Sequence, residues 1–417
     1  MDRKLLPAAR RLLPFALSIL LCCPWNAQAD SGGGASGATG QDQAAPPDDF
    51  LCPAVVRKVF GPHTQFAERG IDFEGWLQLD GATLAKGGVS PARGFDGQYL
   101  LDLSATFDTR KLVGWPGGTL MVDMQTHSGP NIVNQYTTSL QDPDNMDAYS
   151  FTEIDRGWYR QMLLRHTLQL QVGLMYVDDQ YFTVPYGQNF ISLNFSSDAS
   201  ISTFVLPTYP KGSFGGDVFV YPEKGVYFSG GVFNDHSTEL PYDPGGDLWV
   251  TEEGWQHKWE GLPFSLEVGA WRDTGRFRSF NGSPGSIVHG AAGKYLVAAQ
   301  KLWHPATSPD RGLGAFLQLG TAPPSVAPIN RHVGAGVVWD GALTARPHDE
   351  IGFAFSDGFL SNRNRFLHGF ENEFEAYYQI YASSYLTIQP DVEYWQHPGG
   401  MTTPNTLLYS VRAQYNF

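Results

Sequence analysis

The chain contains little of what a soluble protein of its length usually has. It has 417 residues but only three cysteines, and charged residues make up 17% of it, below the quarter that is typical of globular domains. Cys22 and Cys23 lie in an N-terminal apolar run, which leaves Cys52 as the one thiol of the remaining chain. A lone thiol excludes an internal disulfide and a cysteine-based metal cluster.

Signatures of catalysis and of membrane helices are also missing. After the N-terminal run, no apolar stretch approaches the eighteen or so residues that a membrane-spanning helix needs. The sequence has no HExxH, GxSxG or phosphate-binding motif and no His/Cys cluster at metal-ligand spacing, so it predicts neither a cofactor nor a metal. Carboxylates are numerous, so an exported β-rich enzyme acting on polysaccharide stays open as an alternative.

Residues 1–29 have the organisation of an export signal. Four basic residues near the start precede an apolar run of about a dozen residues, and Ala27-Gln28-Ala29 has the small-x-small pattern that signal peptidase reads. Cleavage after Ala29 would leave 24 basic and 41 acidic residues, a net charge of −17. This charge argues against nucleic acid as a partner and predicts that any ion leak favours cations.

The residues that are abundant favour one membrane architecture. Aromatic residues make up 14% of the chain, glycines number 47, and short segments alternate with period two. In the last segment, 407–417, apolar side chains such as Tyr409, Val411 and Tyr415 alternate with polar ones. A barrel wall explains this pattern, because one face of each strand meets lipid and the other meets water.

We therefore predict an all-β fold, a transmembrane antiparallel β-barrel of about sixteen strands. Long loops alternate with short turns, which is typical of outer-membrane barrels with extracellular loops and both termini periplasmic. The predicted strands lie near 71–80, 98–108, 118–127, 152–163, 168–176, 214–221, 225–235, 247–259, 263–273, 293–302, 312–320, 331–341, 350–358, 370–382, 384–395 and 407–417.

Two segments precede the predicted barrel, which covers 71–417. Residues 30–49 are rich in Gly, Ser, Ala and Pro, so we expect a disordered tail. Residues 50–70 are predicted to form a periplasmic segment with a short helix near 62–69 that ends at Gly70.

Four segments of the second half of the chain carry recognisable motifs: Glu375-Ala-Tyr-Tyr-Gln379, Tyr385 to Asp391, Tyr394 to Gly400 and Val333 to Gly341. They resemble motifs of the OprB-type carbohydrate-selective porins. The resemblance covers the chain from about residue 62 onward, and it implies a sixteen-stranded outer-membrane barrel for passive diffusion of monosaccharides and related sugars. The terminal Phe417 resembles the signal by which the barrel-assembly machinery recognises its clients. The segment 173–182 lacks the small and basic residues of the family, so the pore-narrowing loop and the preferred solute can differ.

A sugar channel needs aromatic rings to stack on and polar groups for weak hydrogen bonds. The longest predicted loop, about 177–213, is the best candidate for the constriction, and we expect it to fold into the lumen. By alternation and loop position, the predicted pore-lining residues are Asp123, Gln125, His127, Arg156, Trp158, Arg160, Tyr181, Phe182, Tyr186, Glu371, Glu373, Asp391 and Glu393. His127 would make the local charge depend on pH near neutrality.

Each of these assignments has an alternative. The loop aromatics could pack the loop onto the wall instead of meeting solute, and each charge could be a satisfied member of a lumen ion-pair ladder. The solute could also be a polyol, an organic acid or another small hydrophilic molecule. The predicted partners are outer-membrane lipid and small sugars, and the sequence is compatible with a monomer or a homotrimer.

Overall fold

The computed structural model describes residues 64–89, 94–234, 243–281, 285–309 and 311–417. These residues form sixteen antiparallel strands that close into one barrel, in which each strand pairs with its sequence neighbours and the first pairs with the last. The strands are β1 Ile71–Lys86, β2 Asp96–Asp108, β3 Gly118–Ser128, β4 Phe151–Leu163, β5 Leu168–Met175, β6 Ser213–Glu223, β7 Val226–Asn234, β8 Asp247–Trp259, β9 Leu262–Arg278, β10 Ile287–Trp303, β11 Gly312–Thr321, β12 Ile329–Asp340, β13 Glu350–Leu360, β14 Phe370–Tyr381, β15 Leu386–Gln396 and β16 Thr406–Asn416.

Closure of the barrel removes the free sheet edges that a bilayer would not tolerate. The closing pair runs from Trp76 opposite Asn416 to Leu84 opposite Leu408. The start of β1 and the end of β16 therefore lie at the same mouth of the barrel, which we call the termini mouth. The opposite one is the loop mouth. The predicted barrel is confirmed, whereas the predicted signal, 1–29, the predicted tail, 30–49, and residues 50–63 of the predicted periplasmic segment lie outside the described residues.

The helices of the described residues are few and short. They are α1 Gln65–Glu68, α2 Thr109–Val113, α3 Ile132–Tyr136, α4 Leu193–Ser196 and α5 Ala199–Ser202, with 3₁₀ turns at Leu164–His166, Val177–Asp179 and Pro398–Gly400. Helix α1 lies inside the predicted range 62–69; Thr64 caps its start by accepting a hydrogen bond from Ala67 N at 3.1 Å. Gly70 follows with φ +91°, a value that favours glycine. In the described residues, no helix is long and apolar enough to cross a membrane.

Three strands are longer than the alternation predicts by more than five residues. β1 continues to Lys86, β9 continues to Arg278, and β10 begins at Ile287. The end of β9 shows the reason, because its pattern inverts there: Trp271 and Phe277 point inward and are buried, whereas Arg272 and Arg276 are exposed on the outer wall. The prediction looked for apolar side chains on the outward face of each strand, so it ended β9 before this segment, where the apolar side chains point inward.

Candidate functional site

Two loops fold into the barrel from the loop mouth. The first inward loop, residues 129–150, connects β3 and β4, and the second inward loop, residues 176–212, connects β5 and β6. They bind each other inside the lumen: Asn145 N donates to Ile191 O at 2.8 Å, and the Tyr209 hydroxyl donates to Met146 O at 3.0 Å. The prediction that the longest loop folds into the lumen is confirmed, and the first inward loop was not foreseen.

Carboxylates of β14 fasten both loops to the wall. Glu375 accepts hydrogen bonds from Ile191 N at 2.6 Å and Ser192 N at 3.1 Å. Glu371 accepts from Leu140 N at 3.1 Å and Gln141 N at 2.9 Å. A carboxylate with two oxygens satisfies two backbone N–H groups that would otherwise be buried without a partner.

The predicted pore-lining acids lie on the inner wall as the alternation requires, but loops or neighbours cover them. Glu371 and Glu373 have no exposed surface, and Asp391 and Glu393 have at most 3%. Glu373 accepts from Asn194 Nδ2 at 3.1 Å, and Glu393 accepts from Ser410 Oγ at 3.0 Å. Glu371 and Glu373 thus hold the inward loops, and all four acids are covered from the lumen.

The loop aromatics pack against the wall. Tyr181, Phe182, Phe190 and Phe195 have no exposed surface. The ring of Phe182 lies 4.0 Å from that of Tyr295, and Phe190 lies 4.9 Å from Tyr377. Tyr181 and Phe182 therefore hold the second inward loop in place, and the alternative that these rings pack the loop onto the wall describes them.

The predicted residues of β3 lie on the inner wall but are buried. Asp123, Gln125 and His127 are at most 3% exposed. Gln125 donates to Asp102 at 2.7 Å, and His127 lies within hydrogen-bond distance of Tyr149 O and Gln98. These side chains form a polar layer beneath the first inward loop, and the pH dependence expected of His127 stays a prediction.

The guanidinium of Arg156 contacts three carboxylates in the lumen. A β-bulge at Asp155 disturbs the pairing of β3 with β4, and Arg156 stands opposite Asp123. Its guanidinium lies 2.6 Å from Asp123, 3.0 Å from Asp179 and 3.4 Å from Asp102. Asp179 belongs to the second inward loop, so Arg156 joins the wall to the loop.

Next to Arg156, β4 presents an aromatic and a second cation. The Arg160 guanidinium lies 4.6 Å from the Trp158 ring centre, and its Nε donates to Gln171 Oε1 at 2.7 Å. Both side chains are half-buried. The donor–aromatic–donor triplet predicted from the alternation of Arg156, Trp158 and Arg160 thus lies on one face, partly open to water.

The surface of the second inward loop that faces the termini mouth is polar and exposed. Gln188 and Asn189 are exposed, and Asn189 Nδ2 donates to Glu350 Oε1 at 2.8 Å. Half-buried Tyr186 lies at the edge of an open cavity of about 610 Å³, whose wall includes Lys224 and Lys258. Glu350 and Asp179 are not among the predicted site residues. Each contacts a residue far away in the sequence, Asn189 and Arg156 respectively, and a local pattern does not show such contacts.

One acid of the second inward loop has an altered protonation. Asp178 is half-buried, and desolvation of its carboxyl group, together with the charge of Asp179, raises its pKa to about 7. Thr208 Oγ1 donates to its Oδ2 at 2.6 Å. The loop therefore carries a carboxyl group that titrates near neutrality beside the Arg156–Asp179 pair.

Comparison with known proteins agrees with this architecture. Residues 92–417 match the family described as carbohydrate-selective porin, OprB family. The chain is 21% identical to Porin B of Pseudomonas aeruginosa over 86% of this chain and 90% of that protein. It is also 21% identical to the putative porin QuiX of Acinetobacter baylyi, over 83% of this chain and 85% of that protein.

The fold is shared with solved structures. The high-pH structure of Pseudomonas putida OprB superimposes with a TM-score of 0.79 at 19% identity, covering 86% of this chain and 96% of that one. The low-pH structure of the same protein gives a TM-score of 0.59 at 17% identity. The match of the family over most of the sequence and the closed sixteen-stranded barrel lead to one conclusion: the chain belongs to the carbohydrate-selective porin family, OprB.

Proposed function

We propose that this porin lets monosaccharides and related small sugars diffuse passively across the outer membrane, with the loop mouth extracellular and the termini mouth periplasmic. The orientation follows the rule that long loops of outer-membrane barrels are extracellular and short turns periplasmic. The narrow part of the path lies beside the second inward loop, between Arg156 and Asp179 on one side and the exposed Gln188 and Asn189 on the other.

The observation that carries the solute preference is the half-buried row on β4. Arg156 and Arg160 supply donors in fixed forks, and the Trp158 ring lies between them in sequence on the same face. A sugar offers hydroxyl groups at its edge and C–H groups on its faces, so it can exchange hydrogen bonds with guanidinium groups while stacking on an indole. Binding of this kind is weak enough for the solute to leave.

The proposed solute-contacting set is therefore smaller than the predicted one. It keeps Arg156, Trp158, Arg160 and Tyr186, which are partly open to the lumen, and adds Asp179, Gln188 and Asn189. Asp123, Gln125, His127, Tyr181, Phe182, Glu371, Glu373, Asp391 and Glu393 are proposed to act behind this set, because they are buried.

Transport can be tested with the purified full chain in liposomes. Swelling rates would be compared for glucose, a polyol and a gluconate-type organic acid of similar size, and hydrolysis of an oligosaccharide would be assayed in parallel. We expect glucose to enter fastest and the oligosaccharide to stay intact. Equal rates for all solutes would contradict sugar selectivity, a faster polyol or acid would identify another solute class, and released hydrolysis product would support the enzyme alternative.

Assembly is the second part of the proposal. The backbone N–H of Phe417 donates to Gly75 O at 2.8 Å, and its ring lies 5.4 Å from that of Tyr415. We propose that this aromatic end is read by the barrel-assembly machinery before it docks on β1. Deletion of Phe417 should lower the amount of folded barrel in the outer membrane, and unchanged amounts would contradict this role.

A further inference from the structure

Basic side chains cluster on the outer wall of the barrel near the loop mouth. Arg272 and Arg276 of β9 and His289 and Lys294 of β10 are all exposed. Arg276 stands directly opposite His289, and Lys294 stands opposite Ala270, two residues before Arg272. We call Arg272, Arg276, His289 and Lys294 the outer basic patch.

The patch faces away from the lumen. On β9 the residues that alternate with the arginines, Trp271, Asp273 and Phe277, are at most 2% exposed. The ring of Phe277 lies 5.1 Å from that of Phe204 in the second inward loop, so this face of the strand is covered from inside. Successive residues of a strand point to opposite faces, and the arginines therefore point outward.

The patch borders the apolar band of the outer wall. On the same face of β9, the positions from Arg272 toward the termini mouth are apolar: Ala270, Val268, Leu266 and Phe264. Val268 is 48% exposed. On β10, Leu296 lies next below Lys294. Such an apolar face is the part that contacts hydrocarbon, so the patch lies at the level of the lipid headgroups on the loop-mouth side.

The basic residues continue around the barrel. Lys294 pairs with Thr321 of β11, and Thr321 pairs with Arg331 of β12. Neighbouring strands are about 4.8 Å apart, which separates Lys294 from Arg331 by roughly 10 Å. In the described residues, no salt bridge joins Arg272, Arg276 or Lys294 to a carboxylate, although Asp247 of β8 stands near Thr274, between the two arginines.

On the orientation proposed above, with the loop mouth extracellular, we propose that the outer basic patch binds the phosphate groups of the anionic glycolipid in the outer leaflet, lipopolysaccharide, through its lipid A part. The chain has a net charge of −14, so a cluster of cations on its lipid-facing wall does not serve solubility. Lipid A carries two phosphates on a disaccharide at the level of the headgroups, and cationic side chains at that level would bind them. Arginine forks suit phosphate oxygens, and the apolar face below accommodates acyl chains.

Binding would be measured by native mass spectrometry of the full chain in non-ionic detergent. The ligands are diphosphoryl lipid A, dephosphorylated lipid A and phosphatidylglycerol, and sodium phosphate is added as a competitor. The patch variant is Arg272→Gln/Arg276→Gln/Lys294→Gln. The matched control, Arg165→Gln/Arg363→Gln/Arg365→Gln, removes three exposed charges from elsewhere on the molecule. Heat-modifiable electrophoretic mobility reports folding of every variant.

We expect diphosphoryl lipid A to bind the unaltered chain and the control equally and the patch variant about tenfold or more weakly, since each cation near a lipid surface contributes separately. A charge-conserving variant, Arg272→Lys/Arg276→Lys, should keep most of the binding. If the triple patch variant does not fold, Arg276→Gln alone should still weaken binding.

Four results would overturn the proposal. The first two are equal binding by the patch variant and equal binding of dephosphorylated lipid A. The third is displacement of lipid A by millimolar phosphate, which would identify a site for free anions, and the fourth is preference for phosphatidylglycerol over lipid A. The patch lies outside the lumen, so sugar-induced swelling should be unchanged in the patch variant, and the failure of one proposal is distinguishable from the failure of the other.

Discussion

Arg156 Nη1 lies 3.0 Å from the carboxylate of Asp179, and this ion pair joins the barrel wall to the loop that narrows the lumen. The same guanidinium contacts Asp123 and Asp102, whose side chains are at most 4% exposed, whereas that of Asp179 is 36% exposed. Arg156 thus compensates two buried carboxylates of the wall, Asp102 and Asp123, and one solvated carboxylate of the loop, Asp179. Substitutions that affect the buried pairs and the solvated pair should have different consequences.

On the solvated side, Asp179→Asn should lower the preference of the channel for cations. The substitution removes one negative charge from the lumen and leaves Arg156 with less compensation on its exposed side. We expect the cation-to-anion permeability ratio to fall roughly twofold, measured as the reversal potential in a salt gradient. Glu253→Gln is the control, because Glu253 is an exposed acid on the outer wall. An unaltered reversal potential in Asp179→Asn would show that this acid does not face the ion path.

On the buried side, Arg156→Gln should destabilise the barrel by about 3–5 kcal/mol, the usual effect of leaving buried charges without their partner. The control variant is Arg110→Gln, because Arg110 of α2 is exposed and takes part in none of the salt bridges of the described residues. The midpoint temperature of the heat-modifiable mobility shift measures both. Similar midpoints for the two variants would mean that Asp102 and Asp123 do not depend on Arg156.

The barrel can be predicted from the sequence because every strand has the same two kinds of surroundings. Every strand has lipid on one side and water or a loop on the other, so the alternation of 407–417 recurs in most segments, and the strand number follows. The alternation also places Glu371, Glu373 and Arg156 on the inner wall. It fails at the end of β9, where Trp271 points inward and Arg272 outward, because there the loop inside is apolar and the surroundings outside are polar.

The alternation of apolar and polar residues predicts which side chains lie on the inner wall, but it does not predict which of them an inward loop covers. Glu373 and Arg156 have the same predicted orientation, yet one has no exposed surface and the other reaches the lumen. The difference depends on where the two inward loops settle, and that in turn depends on contacts such as Asn145 with Ile191 between segments distant in sequence. For this reason the predicted site contains residues that anchor loops and omits Asp179.

Removal of a loop anchor gives a third prediction. Glu375→Ala leaves Ile191 N and Ser192 N without their acceptor, and each buried N–H without a partner costs about 1–3 kcal/mol. The second inward loop should loosen while the barrel stays closed. We expect noisier single-channel currents and faster proteolytic cleavage within 176–212.

Glu253→Ala is the control for this loop variant, because it removes a glutamate that touches neither loop. Currents as quiet as those of the unaltered chain, together with unchanged cleavage, would show that the hydrophobic contacts of Phe190 suffice to hold the loop.

The raised pKa of Asp178 predicts a pH dependence of stability. Its value of about 7 in the folded chain lies above the ordinary 3.8, so the folded state binds the proton more tightly than the unfolded state. The stability that this proton confers is complete below about pH 4 and is lost as the pH rises to about 7. Each unit of pKa difference corresponds to about 1.4 kcal/mol.

Asp178→Asn should abolish this loss, because the amide oxygen still accepts the hydrogen bond from Thr208 and carries no charge. The variant should match the unaltered chain near pH 4 and unfold at a higher temperature near pH 8. Asp243→Asn, a change at an exposed loop residue, is the control. A constant difference between Asp178→Asn and the unaltered chain over this pH range would contradict the assignment.

The stacking role of Trp158 is the most direct test of how a sugar is held. Trp158→Ala removes the ring beneath the Arg160 guanidinium, whereas Trp158→Phe keeps an aromatic face. If sugars stack there, the alanine variant should lose about 0.5–1.5 kcal/mol of binding, which is a roughly twofold to thirteenfold weaker block of single-channel current in a glucose titration. The phenylalanine variant should keep most of the block. Trp249→Ala is the matched control, because Trp249 is 53% exposed on the outer wall of β8 and should leave the titration unchanged. Were Trp158→Ala and Trp249→Ala to give the same sugar block as the unaltered chain, the path of the sugar would lie elsewhere in the lumen, and the exposed Gln188 and Asn189 beside Tyr186 would become the residues to vary next.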